Sequence, residues 1–183
     1  MRVAGLDLAG SPKNESGLCV LEVESDVKSV STSILYSDED IVGRLLDVKP
    51  KLVAVDAPMV YNGENRGCDA LLHDYGALPV TLKGMEMLAI RGVGIARQLR
   101  ENSMEYVEVY SKATARILGL YSKDDFRMQK NMVSLNLEGD INSRLLSRDE
   151  LDAILAAITG YLYIEGQTRS VGGEDGVVQI PEV

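Results

Sequence analysis

The sequence predicts an α/β fold: a mixed five-stranded sheet, three strands antiparallel and two parallel, flanked by helices within one domain spanning 1–183. Three observations carry this. An apolar strand opens the chain and two β-rich segments follow it directly, helical spacing then alternates with short Val- and Ala-rich runs, and a capped amphipathic helix comes late.

MRVAGLDLAG alternates Val3, Gly5 and Asp7 on one face with Ala4, Leu6 and Leu8 on the other, which suits a central strand. Gly10, Ser11 and Pro12 end it. GLCVLEVES, with Leu18, Val20 and Val23, should pair antiparallel with it, and SVSTSILYS, with Val30, Thr32 and Ile34, should complete a meander. Ser37 before Asp38, Glu39 and Asp40 is a helix start, since a capping side chain and acids in the first turn both satisfy the N-terminal amides; Pro50 is the stop. KLVAVDAPM has the composition of a strand covered on both faces, and a strand reached through a helix is normally parallel to its neighbour.

From Pro79 the spacing is helical, with Met85, Leu88, Ala89, Ala96 and Leu99 on one side; Gly84, Gly92 and Gly94 weaken the helix and suggest close approach. Met85, Met87 and Leu88 are expected in the core. MEYVEVYS is the fifth strand and SKATARILGL a short helix ended by Gly119. Residues 121–144 show no firm period. Ser147, Arg148, Asp149 and Glu150 form a capping box, so the last helix should start at Arg148. Asp149, Asp152, Ala153, Ala156, Ala157 and Gly160 then share a stripe of small residues that lets the helix lie close to the sheet. The tail SVGGEDGVVQIPEV suggests a turn and a short edge strand, one that offers its open edge to a second copy in a homodimer.

Five acids fall where such a fold would bury them: Asp7, Asp56, Glu108, Asp149 and Asp152. Buried carboxylates are unfavourable without a partner, and a divalent cation, Mg²⁺ or Mn²⁺, is the usual partner for several at once. Each also has a plainer explanation. Asp149 and Glu150 suit a helix first turn with no ligand, Asp56 can hold turn amides, and Glu108 can face solvent between Tyr106 and Tyr110. Arg66 and Asp69 can pair across a turn or contact substrate. His73 is the sole histidine, which disfavours zinc, and Cys68 has no histidine to activate it.

The net charge of −9 and pI near 4.7 argue against a protein that coats nucleic acid. The charge is uneven: residues 79–130 carry nine Lys or Arg against six Asp or Glu, a local +3, while each flank carries −6. Two cysteines without Cys-x-x-Cys spacing, no signal peptide and no apolar run near 18 residues lead to the expectation of a reduced, cytoplasmic protein with no membrane contact.

The segments GLDLAGS, VAVDAPM, RGCD at Arg66 to Asp69, LPVTLKGMEMLAIRG, VEVYSKATARILG and DELDAILAAITGYLY, with the glycine-rich tail ending in Ile180-Pro181, carry a family resemblance across nearly the whole chain. The order of elements resembles the ribonuclease H-like fold, in which the central first strand carries an Asp, the adjacent parallel strand a second acid and the last helix one or two more. More closely, the chain resembles the family of unknown function numbered 429, described as predicted nucleases of that fold. The family's usual Pro after the VEVY segment is Ser111 here. The resemblance implies metal-dependent phosphodiester hydrolysis. Asp7 would lie between two cations, with Asp56 or Glu108 completing one site and Asp149 or Asp152 the other. Asp7, Asp56 and Asp152 are its catalytic candidates, and Arg66, Lys83 and Arg91 would bind the phosphate of a nucleic acid or small phosphoester, with Asp69 beside them. Two alternatives stand: an ATPase- or kinase-like site of the actin-like branch, with Gly10-Ser11-Pro12-Lys13-Asn14 and Gly17 cradling a phosphate, and a non-catalytic binding module.

Overall fold

The computed structural model describes residues 1–25 and 27–182. The opening meander forms as expected: β1 (Arg2–Asp7), β2 (Ser16–Glu24) and β3 (Val27–Leu35) pair antiparallel in sequence. Ser37 caps α1 (Asp38–Val48), its hydroxyl accepting from the Asp40 N–H, and Lys49 leaves the helix in the left-handed region just before Pro50. β4 (Leu52–Asp56) then lies parallel to β1 in a register that sets Asp7 beside Asp56.

A short α2 (Gly67–Leu71) and a turn lead to α3 (Lys83–Glu101), which starts four residues after Pro79 because the Pro79–Leu82 segment forms a turn of its own. Next come β5 (Tyr106–Val109), parallel to β4, and α4 (Ser111–Ile117). The unreadable stretch holds α5 (Asp125–Met132), a three-residue β6 (Leu137–Gly139) and α6 (Asp140–Ser143), followed by α7 (Arg148–Ile164) with both hydrogen bonds of its capping box. β7 (Thr168–Gly173) and β8 (Gly176–Pro181) close the chain as a hairpin.

The sheet therefore has eight strands, in the order β6-β3-β2-β1-β4-β5-β8-β7, rather than the expected five. The first five strands are those foreseen. The tail supplies two more, and β8 sits inside the sheet against β5 while β7 forms the edge; Gly172 and Gly176, both at positive φ, allow the tight hairpin that side chains would strain. β6 was hidden because three residues show no period.

The two faces of β1 divide the core as its alternation predicts. Ala4, Leu6 and Leu8 pack with Ile41, Leu45, Ile95 and Leu99 under α1 and α3, and Val3 packs with Leu151, Ile154 and Ile158 of α7. Of the three glycines in α3 only Gly92 marks a close approach, its Cα facing the Pro58 carbonyl; Gly84 and Gly94 face open space. The small-residue stripe of α7 does what its composition suggests. A methyl group on Gly5 would collide with the Ala153 carbonyl and Ala157, and one on Gly17 with the Asp149 carbonyl.

Gly5→Ala and Gly17→Ala should therefore each force α7 off the sheet and lose about 2–3 kcal/mol, as overpacking of a dense core does. Urea denaturation with an unchanged m-value measures this.

Candidate functional site

Three parallel strands bring acids toward one rim: Asp7 and Asp56 end β1 and β4, and Glu108 lies near the end of β5. Adjacent strands are about 4.8 Å apart, so register alone makes Asp7 and Asp56 neighbours. The close seating of α7 on β1 and β2 adds Asp149 and Asp152 from above. This is the end of the sheet where open α/β folds present ligand crevices.

The acids fall into two electrostatic classes. Glu108 and Glu150 are buried and fully paired. Arg66 reaches Glu108 at 2.8 and 3.0 Å, and the Met59 N–H donates to the same carboxylate at 2.7 Å. Arg66 also grips Asp69 with two donors, at 3.0 and 2.7 Å. Burial raises the Glu108 carboxyl even so, against the pull of Arg66 and the Met59 amide. Glu150 is buried too, but the Arg144 guanidinium, the Ser147 N–H and the Thr32 hydroxyl outweigh that burial and hold it down at about 2.

Asp7, Asp56 and Asp152 form the other class, for no Lys or Arg makes an ion pair with any of them among the described residues. Burial first, then repulsion from Asp56, Asp152 and Asp149, raises the Asp7 carboxyl well above the usual range. Burial and the charge of Asp56 push Asp152 to about 7. Asp56 is raised by burial to about 6 although Ser111 pulls it down, its N–H donating to the carboxylate at 3.0 Å. The Ser111 hydroxyl donates to the Asp152 carbonyl at 2.8 Å, so one residue ties β4 to α7. A proline at 111 would lack that N–H and could not donate to Asp56.

The side chains do not share one hole. Asp7 lines two clefts, one with Asp56, Arg66, Asp69, Glu108, Tyr110 and Lys112, the other with Gly10, Lys13, Asn14, Glu15 and Asp149. Asp152 lines a third with Lys112, Tyr121, Lys123 and Arg148. Among the described residues no three His, Cys, Asp or Glu side chains stand close enough to cage an ion, so the five expected ligands do not form a closed cage. A site of two carboxylates does suit Mg²⁺ or Mn²⁺, because the hard ion accepts oxygen donors and Mg²⁺ keeps several waters beside one or two carboxylates. Asp7 and Asp56 fit that description in donor type, in register and in having no cationic partner.

Several expected ligands are engaged elsewhere. Glu108 is withdrawn from the metal set, both of its oxygens being held by Arg66 and Met59. Arg66 and Asp69 hold each other, although both line the first cleft. Arg91, expected at phosphate, is buried and bonds Asp38 at 2.8 Å, the Ala9 carbonyl at 2.7 Å and the Tyr36 carbonyl, which makes it a clamp between α3, α1 and the turn after β1. Lys83 is exposed and lines none of the three clefts. The Gly10–Asn14 turn surrounds a cleft lined by Asp7, Glu15 and Asp149 against Lys13 alone, a charge balance that disfavours a nucleotide phosphate there. Cys68 is buried and its thiol is pushed up to about 12 by burial, as suits a packed thiol.

Lys112 is the residue that sequence reasoning missed. It follows Ser111 in the first turn of α4 and lines both the Asp7–Asp56 cleft and the Asp152 cleft, with no carboxylate in ion-pair range among the described residues. Its place in the one basic segment of an acidic chain was the available signal.

The fold has solved counterparts. A RuvC from T. thermophilus, described in complex with a Holliday junction substrate, superposes with a TM-score of 0.55 at 15% identity over 91% of this chain and 96% of that one. A Thermus thermophilus RuvC structure gives a TM-score of 0.54 at 16% identity, over 91% and 97%. The architecture is thus ribonuclease H-like. No protein-family model and no curated protein matches the sequence. No helix among the described residues is long and apolar enough to cross a membrane.

Two stability effects follow. An Asp raised from 3.8 to about 7 binds more protons folded than unfolded between those values, so it lowers stability as pH rises through that window. Asp152→Asn should gain on the order of 2 kcal/mol at pH 8, after allowance for solvent screening, and almost nothing at pH 4. Paired thermal melts at the two pH values test it. Arg66→Met should instead cost about 3–5 kcal/mol at neutral pH, since it strands a buried Glu108 charge, and Arg66→Met with Glu108→Leu should recover much of that in chemical denaturation.

Proposed function

We propose that the chain is a metal-dependent phosphodiester hydrolase of the ribonuclease H-like fold, a predicted nuclease of the family numbered 429 whose segments it resembles. The observation that carries this is the pairing of Asp7 and Asp56 side by side at the ends of β1 and β4 with no cationic partner among the described residues, in a protein that pairs Glu108 and Glu150 thoroughly.

In this reading Asp7 and Asp56 would hold Mg²⁺ or Mn²⁺, with Asp152 and Asp149 flanking on the α7 side. Such an ion would supply Lewis acidity to activate water and to neutralise phosphoryl charge. Asp152, raised to about 7 by burial and by the charge of Asp56, would be the group able to exchange a proton near neutral pH. Ser111 fixes the Asp56 carboxylate and the first turn of α4, and so orients Lys112 between the two clefts where a phosphate oxygen would sit. Lys112 takes the phosphate role that the sequence had suggested for Lys83 and Arg91.

The solved counterpart is described with a Holliday junction substrate, yet this chain carries −9 and, among the described residues, Lys112 is the cationic side chain of the first cleft without an ion pair. Binding an extended polyanion needs several phosphate contacts, so a short or small phosphodiester is favoured. Two buried free thiols suit a reducing cytoplasm.

Mn²⁺ at millimolar concentration should raise the melting temperature of the wild type and not of Asp7→Asn, because an ion bound only by the folded state stabilises it. The wild type should hydrolyse a phosphodiester dinucleotide with Mn²⁺, and Asp7→Asn should lose at least a hundredfold. Equal cleavage by the two proteins overturns the assignment, as does a melting temperature indifferent to metal.

A further inference from the structure

The cleft that Asp7 and Asp56 line, between β1, β4 and the α2–α3 segment, has a volume of about 300 Å³ and is walled by apolar as well as polar side chains. That volume is at the lower bound of small-molecule sites. Its walls include Pro58, Leu72, Leu78, Met85, Leu88 and Val178. Met85 and Met87, expected in the core, are not buried there: Met87 is exposed and Met85 is half-buried as a cavity wall, while Leu88 both packs on the core and faces the cavity. Its polar lining comprises Asp7, Asp56, Glu108, the paired Arg66 and Asp69, and Lys112, whose ammonium lies against Gly76.

We infer that this cavity is a nucleobase subsite, so that the substrate is an unpaired nucleotide phosphodiester. For its chemistry this deepens the hydrolase reading and rests on it; for binding alone it does not. A phosphate loses solvation against apolar walls, so the charged end of a ligand would stay with Lys112 and the base would lie against Pro58, Leu72, Met85 and Leu88. Met85 offers a thioether to an aromatic ring and Tyr110 an aromatic surface. Asp69, held by both Arg66 donors, supplies acceptor oxygens to the amine edge of a base. A base within a duplex is not free to enter, whereas a single-stranded or terminal one is.

The test is metal-free titration of the full chain with adenosine and, separately, with ribose, followed by calorimetry or protein-observed NMR. Adenosine should bind at least tenfold more tightly than ribose. Ala77→Phe, which fills the cavity, and Leu78→Asp, at a wall residue that is 53% exposed and so dispensable for folding, should each weaken adenosine tenfold or more with the Mn²⁺-induced rise in melting temperature kept. Equal binding of adenosine and ribose, or wild-type adenosine affinity in folded Leu78→Asp, overturns the subsite. Failure of the hydrolase reading shows separately, as a wild-type melting temperature that Mn²⁺ does not move.

Discussion

The seating of α7 on the middle of the sheet is the constraint on which the rest depends. Gly5 and Gly17 on the sheet and the Ala153, Ala156, Ala157 and Gly160 stripe on α7 bring the two elements into close contact. The first turn of α7, pinned by its capping box, then has little choice of position. Asp149 comes to rest over Gly17, and Asp152 one turn later lies near β1 and α4. Any residue larger than glycine at position 5 or 17 would separate the acids of α7 from Asp7, so packing of the core and composition of the site are one problem.

Ser111 is the second fastening. It spans from the end of β4 to the α7 backbone through an N–H and a hydroxyl, and Thr114 one turn on meets Thr159 at 2.7 Å. These bonds make α4 a strut between the sheet and α7, and they orient Lys112 as a consequence. Arg66 does comparable work on the far side, tying α2 to β5 through Asp69 and Glu108, while the Asp175 side chain bonds the Gly67 amide from the β7–β8 hairpin. The outer strands and the cavity wall are thus held by ionic contacts with their partners present.

Much of this was legible because it rests on local rules. The alternation in β1, the Ser37 cap, the Ser147 capping box and the small-residue stripe each prescribe a contact within a few residues or on one face, and each is found. Asp7 and Asp56 were each readable as strand residues from local composition, and their place on adjacent parallel strands came from the resemblance to the ribonuclease H-like order of elements. What could not be read depends on partners distant in sequence. Glu108 looks the same in the sequence whether it faces a cation or an arginine, and Arg66 lies 42 residues away from it. Arg91 stands on a basic segment yet points inward at Asp38, 53 residues away. β6 has three residues and α6 four, too short for any period, and the tail hairpin gained an interior place in the sheet only through its pairing with β5.

Acids with no counter-charge repel strongly at close range in a partly buried site, and protonation relieves that repulsion. That response is present in the raised carboxyl pKa values of Asp7, Asp56 and Asp152, while Asp152 opens to a different cleft from the one that Asp7 and Asp56 share. Glu108 and Glu150 show the contrasting outcome, since each has an arginine and remains closely held. The same chain therefore contains paired acids that stabilise the fold and unpaired acids that oppose it. Unpaired acids of that kind cluster at sites that bind or react. The register of β1 with β4 and the close packing of α7 on Gly5 and Gly17 fix the backbone from which these carboxylates project.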